Sequence, residues 1–241
     1  QPLISLSNRQ VDLANIQPDM AEPLKQKGLV VIKDERGWNK KLMINHKKAP
    51  YSDRRFRHAL AFAINQQEII DKSHRGFALP ASYGLLSPDH DMYNPNTPSY
   101  AFSPEKARAL LETMGYQKGA DGYYGKGGQA LKIELLSSNI TVAGQSVVDR
   151  DGEVIKKQLE QVGIRVDLVN LEQATTDSKV KSWNFDLAVS GHGGVSGDAR
   201  ILNEMILSKY GAGSVNSARY DEDAELTDLL EEQMVEMDEG R

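Results

Sequence analysis

An α/β fold with a mixed sheet flanked by helices is predicted by three observations. First, residues 131–171 read as strand, helix and strand: an apolar run Leu131–Ser137, a helical pattern Asp151–Val162 stopped by Gly163, and a second run Ile164–Leu171. A crossover of that length makes a parallel pair the favoured pairing, with right-handed connection. Second, Phe185–Val189 is a short apolar strand that runs into Ser190-Gly-His-Gly-Gly194, a glycine-rich loop, ahead of a helix at Ile201–Leu207. Third, 241 residues with 39% hydrophobic and 26% charged content are enough for a substantial core in one large or two small domains.

In chain order, Leu29–Lys33 and Lys41–His46 are the strand candidates of the first fifty residues, with Gly37 between them in a hairpin-like connection. Asp53 caps a helix whose apolar positions, Phe56, Leu60, Ala63, Ile64 and Ile70, recur at near-helical spacing. Gly76 ends that helical region. Residues 76–102 carry Pro80, Pro88, Pro95 and Pro98 with Tyr83, Tyr93 and Tyr100, a long irregular segment that is either functional or an arm packed by its tyrosines. Ser103-Pro104-Glu105 opens the next helix, with Leu110, Leu111 and Met114 inward and Gly115 as its stop. Gly122–Gly128 is a turn, read as a hairpin because the order of a phosphate loop is missing. Glu172–Lys181 is a short helix, and Asp221–Met237 is the last one, with Leu226, Leu229, Leu230, Gln233 and Met237 along one side.

Composition excludes several classes of function. The chain has no cysteine, so disulfides, thiolate catalysis and cysteine-ligated metals are out. Net charge is −5, and ten acidic against two basic residues fall between Arg219 and Arg241, leaving the remainder about neutral. No basic stripe with interleaved aromatics points to nucleic acid. No apolar run approaches the roughly 18 residues of a membrane span. The five histidines, His46, His58, His74, His90 and His192, show no helical metal-ligand spacing. No nucleophile elbow is present, and nothing points to an enzyme, a cofactor or a resident metal. The chain begins Gln1-Pro2-Leu3 without a signal-peptide pattern, which leads us to expect a processed or excised chain.

Within residues 185–202, glycine allows positive φ and close backbone approach to another molecule, and ligands of open α/β sheets sit beyond the carboxyl ends of strands. The candidate ligand-binding residues are therefore Ser190, Gly191, His192, Gly193, Gly194 and Asp198, with Tyr83 added from the irregular segment. A tight loop bearing a surface histidine is the plain alternative.

Five segments in order resemble a known family. Asn45, Pro50 and then Asp53-Arg-Arg-Phe-Arg57-His-Ala-Leu60-Ala-Phe-Ala-Ile-Asn65 are similar to an asparagine, a proline and the Asp-x-Arg-Val-Arg-Gln-Ala helix of the family-5 extracellular solute-binding proteins of ABC importers, which serve dipeptides, oligopeptides and nickel. Gly76-Phe-Ala-Leu-Pro80-Ala81 resembles their Gly-x-Ala-x-Pro-Ala turn. Ser103-Pro-Glu-Lys-Ala107, with Leu110, Leu111 and Gly115-Tyr116, resembles their next helix. Gly163-Ile164 before a strand, and Phe185-Asp186 followed by Gly191, match further blocks.

The resemblance implies the larger lobe of a type II periplasmic-binding-protein-like clamp. Residues 1–241 would be a single ligand-binding lobe of a two-lobe protein, closing on solute by hinge motion. It implies capture of a peptide or a nickel or metal-chelate solute, delivery to ABC importer permease subunits, a periplasmic or cell-surface location, and a monomer that meets the membrane only through the transporter or a lipid anchor. A ligand-sensing or interaction domain that kept the fold without transport is the other reading.

Peptide-binding members continue the matched loop as Gly-Trp-x-x-Asp-Tyr, whose aspartate pairs with the peptide ammonium. Here His192 stands at the tryptophan and Val195 at the aspartate, while Asp198 comes three residues later and is followed by Ala199. Removing the partner of a buried charge costs about 3–5 kcal/mol, so ordinary free-amine peptides are disfavoured unless Asp198 or the second lobe supplies a partner. Three roles stay open to His192: a hydrogen bond within the loop, contact with ligand, or metal ligation. Asn45, Asp53 and Arg57 are expected to be structural.

Overall fold

A computed structural model describes residues 2–32, 38–142, 145–193, 200–210 and 218–238. The elements run α1 (Pro2–Ser7), a 3-10 turn (Pro18–Met20), α2 (Ala21–Gln26), β1 (Asn39–Ile44), α3 (Arg54–Ala63), α4 (Gln66–Ser73), α5 (Pro104–Thr113), β2 (Gln117–Lys118), β3 (Tyr124–Lys126), β4 (Gln129–Ala130), β5 (Lys132–Val142), β6 (Gln145–Val148), α6 (Asp151–Val162), β7 (Arg165–Leu171), α7 (Gln173–Lys181), β8 (Leu187–His192), α8 (Ile201–Ile206) and α9 (Ala224–Gln233).

The main sheet is mixed, as expected. β5 is central: β7 pairs with it in parallel from Lys132↔Arg165 to Ser138↔Leu171, and β8 pairs in parallel on its other side at Leu135↔Leu187 and Leu136↔Ala188. β1 closes the β8 edge antiparallel, and β6 folds back on the far half of β5. The strand period of two splits the side chains between two cores. Ile133, Leu135, Leu187 and Val189 face Phe56 and Leu60 of α3, Leu111 of α5 and Leu159 of α6. Leu136, Ala188 and Met43 face Val180 of α7 and Phe185. Leu135, Leu136, Leu187 and Ala188 are all fully buried, which is why these strands read as continuous apolar runs.

Helix ends follow the sequence closely. The Asp53 carboxylate accepts from the Arg55 N–H at 2.8 Å, and Ser103 Oγ accepts from Lys106 N–H at 3.3 Å. Arg57 donates to the carbonyls of Tyr51 and Ser52, and Asn45 Nδ2 donates to the carbonyls of Trp183 and Phe185, so both are structural as expected. Gly163 ends α6 at φ 108°. The Gly122–Gly128 segment is the expected hairpin, its turn made by Gly127 and Gly128 at positive φ.

Four expectations are corrected. Leu29–Ile32 is not a strand: Val30 and Ile32 lie 89% and 78% exposed, and β1 pairs instead with β8, far along the chain; Lys33 and Gly37 lie outside the described residues. The helix after Asp53 is two helices. Asn65 breaks it by accepting from Glu68 N–H at 3.2 Å, and Gln158 of α6 exchanges two hydrogen bonds with the Asn65 backbone, satisfying groups the break exposes. The strand placed at Phe185–Val189 starts later and runs on to His192, because β1 pairs with it residue by residue as far as Asn39↔His192. The last helix spans only 224–233; Leu230 is buried against α8, where its carbonyl accepts from Asn203 Nδ2, while Leu229 and Met237 are 57% and 92% exposed.

A Cβ at residue 163 would sit 2.9 Å from the Tyr124 ring and 3.0 Å from the Gly122 carbonyl oxygen, in a left-handed backbone. Gly163→Ala is therefore expected to destabilise the protein by about 1–3 kcal/mol, read as a lower urea midpoint with an unchanged m-value; a midpoint equal to wild type would contradict this packing.

Candidate functional site

Parallel pairing brings the carboxyl ends of β5, β7 and β8 to one edge of the sheet, together with the start of β1 because that strand runs the other way. This edge is where an open α/β sheet receives ligand. Of the sequence candidates, Ser190, Gly191, His192 and Gly193 lie there. Gly194 and Asp198 lie outside the described residues.

Gly191 is not a loop residue. It sits in β8 opposite Lys40, and a Cβ there would fall on the Trp38 indole, 2.6 Å from Cε2, and 2.8 Å from the Asn39 carbonyl oxygen. The glycine serves close approach, but the group that approaches is the indole of Trp38. Trp38 itself is 60% exposed. Asn39 ties the same edge to the irregular segment, donating from Nδ2 to the Leu85 carbonyl at 2.9 Å.

His192 points to the opposite face, the one that carries Lys41, since Lys41 pairs with Ser190 and Asn39 with His192. It is 2% exposed, and neither ring nitrogen meets a hydrogen-bond partner among the described residues. Burial, and then the nearby Lys41 charge, push its pKa down to about 4. Burial alone pushes Lys41 down to about 8. His192 is thus a neutral imidazole with donor and acceptor uncommitted, not the surface histidine of a tight loop.

Tyr83 belongs to an aromatic group on α3. Its hydroxyl donates to the Tyr100 carbonyl at 3.0 Å, its ring meets the Tyr100 ring edge-on, and Tyr100 in turn contacts His58 and Phe62. This is the packed-arm alternative of the sequence reading.

On the Trp38 side of the sheet lies a charge cluster that sequence reasoning missed. Lys40 Nζ ion-pairs with Asp149 and lies 3.4 Å from Asp151; His74 Nε2 lies 3.1 Å from Asp151. The two carboxylates are nearly enclosed, at 7% and 3% side-chain exposure. Asp149 also accepts from the Asp151 N–H at 3.1 Å, just where α6 begins. Burial pushes the Asp151 pKa up, but His74, Lys40 and Ser73 together outweigh it and hold the carboxyl below its ordinary value. The hydrogen bond to Asp151 raises His74. In the sequence Asp149-Arg-Asp-Gly-Glu153 looks like part of a calcium loop but lacks its twelve-residue ligand spacing, and so reads as a helix start; the partner lysine lies more than a hundred residues away. Among the described residues no group of three or more His, Asp or Glu could hold a metal, and no helix is long and apolar enough to cross a membrane. A concavity of about 440 Å³ lies at the other end of β5, over β2–β4, lined by Lys118, Asp121, Tyr123 and Lys126 among others; it is remote from these groups.

The comparisons with known proteins agree with this architecture. Residues 2–214 match the model of the bacterial extracellular solute-binding proteins, family 5. The chain is 26% identical over 222 residues to heme-binding protein A of Haemophilus influenzae, covering 92% of this chain and 37% of that one. It is 29% identical over 147 residues to the nickel-binding periplasmic protein of Escherichia coli, covering 61% of this chain and 27% of that one. The oligopeptide-binding protein AppA of Bacillus subtilis, solved with a nonapeptide, superposes with a TM-score of 0.74 at 20% identity, over 95% of this chain and 45% of that chain. The chain spans about a third of the length of the curated relatives it matches.

Two outcomes follow from the charges at this edge. Lys40→Met leaves two enclosed carboxylates facing each other and is expected to cost on the order of 3 kcal/mol, the low end for a broken buried pair because the amine is partly exposed; chemical denaturation measures it, and a loss under 1 kcal/mol would mean the carboxylates find water. For His192, the unfolded chain takes its proton near the ordinary 6.5 and the folded chain only near 4. Between those values the unfolded state binds more protons, so stability falls as pH drops from 6.5 toward 4. Thermal melts across that window are expected to show wild type losing stability relative to His192→Leu; parallel curves would place His192 in water.

Proposed function

As the chain belongs to the bacterial extracellular solute-binding proteins of family 5, we propose that it is one lobe of a two-lobe receptor that captures a solute in the cleft between lobes and delivers it to the permease subunits of an ABC importer outside the cytoplasm. The observation that carries this reading is the family match over residues 2–214, reinforced by a sheet whose strand ends converge on one edge. The relatives' printed ligands, heme, nickel and peptide, define the solute range to test.

On this reading Ser190, Gly191, His192 and Gly193 form this lobe's wall of the cleft, with Tyr83 bracing the adjoining arm, and Gly194 and Asp198 stay ligand candidates from the sequence alone. The backbone of β8 does the positioning: Leu187 and Ala188 pair with β5 and Ser190 to His192 pair with β1, which keeps the ordering cost of binding low. Closure of the second lobe excludes water and strengthens each polar contact made there. Nothing in this mechanism requires bond making or breaking.

Native mass spectrometry of the whole two-lobe protein, purified without refolding, tests the reading. A co-purified solute is expected, released on denaturation and carrying the mass of a peptide, a metal chelate or a porphyrin. A protein that stays free of solute and binds none of these classes when they are added would replace capture by the sensing or interaction role.

A further inference from the structure

Trp38 is one of only two tryptophans in the chain. The other, Trp183, lies at the opposite end of the sheet, its indole between the Lys47 ammonium and the Arg219 guanidinium and beside His46, with its ring nitrogen buried. Trp38 instead leaves 60% of its surface open. Exposing a ring of this size forgoes the burial that makes tryptophan a core residue. It does so at the sheet edge where ligand is received, not on a remote surface.

The ring is also held. Its indole edge fills the space over Gly191, where even a methyl group would collide with it. The next residue, Asn39, is anchored on both sides, by pairing with His192 and by its side chain on the Leu85 carbonyl. The one after, Lys40, is fixed by its carboxylate partners Asp149, just ahead of α6, and Asp151, its first residue. One side of the indole is thus committed to the Gly191 notch while the rest faces outward, directly ahead of a strand whose first two residues are anchored. A rigid, open π face beside a strand end is an economical recognition element: it offers large contact area with few torsions to freeze.

Resting on the capture reading above, we propose that Trp38 is the stacking platform of this lobe, receiving a planar conjugated group of the solute, and that Gly191 is required because it seats the ring. Two sources share that chemistry, an aromatic side chain of a peptide and a porphyrin ring. Trp38 is a specificity-determining residue: it favours solutes with a flat group over aliphatic ones without contributing to charge recognition.

The test uses the whole two-lobe protein and three probes, Ala-Phe-Ala, Ala-Ala-Ala and hemin, each titrated calorimetrically into wild type, Trp38→Leu and Trp38→Tyr. Trp38→Leu is expected to weaken the planar probe that binds by at least about tenfold, to leave any Ala-Ala-Ala binding within about twofold, and to be rescued by Trp38→Tyr. Preference for Ala-Phe-Ala identifies an aromatic side chain as the source, and preference for hemin a porphyrin. Thermal melts check that the variants remain folded. Ala-Phe-Ala, which does not absorb at the emission wavelength, is expected to shift the tryptophan fluorescence of wild type and to leave that of Trp38→Leu unshifted. Planar-probe binding that Trp38→Leu leaves unchanged overturns the platform while leaving solute capture intact. Wild type that binds no probe and carries no solute overturns capture, and the platform with it. If only Ala-Ala-Ala binds, capture stands and the preference for planar groups is wrong.

Discussion

The pairing of β8 between β5 and β1 is the constraint on which the rest of this structure depends. Because helices cover both faces of the β5–β8 pair, Leu187, Ala188 and Val189 must all be apolar, and each feeds a core on its own side. The strand has no solvent face through those residues, and its register is set by two neighbours at once. A one-residue slip would send Leu187 and Val189 into the smaller α7 core and Ala188 into the larger one. The polar residues that follow, Ser190 to His192, therefore arrive at a fixed place at the end of the sheet.

That place is held together by charge as much as by apolar packing. The ends of parallel strands expose backbone groups and collect the crossover loops, so β1 and the start of α6 meet there. Lys40 from one and Asp149 and Asp151 from the other are close enough to compensate each other's desolvation. Gly152 lets α6 lie against β5, since a Cβ would stand 2.9 Å from the Ser137 side chain. The carboxylates consequently cannot retreat to water. His74, from the end of α4, completes the group and couples the α4 region to the same edge.

Four residues there show how different the two faces of one sheet edge can be. Gly191 and Trp38 lie on one face of the sheet and His192 and Lys41 on the other. The first pair presents an open ring; the second encloses a neutral imidazole beside a half-buried ammonium. Alternation along β8 places these chemically different groups within two residues of each other, outside both apolar cores.

Much of this was determined by the sequence alone. Caps at Asp53 and Ser103, stops at Gly115 and Gly163, the helix Asp151–Val162 and the parallel strands around it depend on interactions within a few residues or on periodicity, and those are local physics. The family resemblance rested on the same local blocks. Tertiary structure decided what depends on distant partners. Gln158 lets the chain break at Asn65; β1 extends β8 to His192; Trp38 gives Gly191 its purpose; Lys40 makes a paired cluster of two aspartates that looked like a helix start. Tyr83 turned to its neighbour Tyr100 for the same kind of reason. A residue's type and spacing report how its own backbone will fold, but whether it is enclosed, paired or left open is fixed by side chains that arrive from elsewhere in the chain.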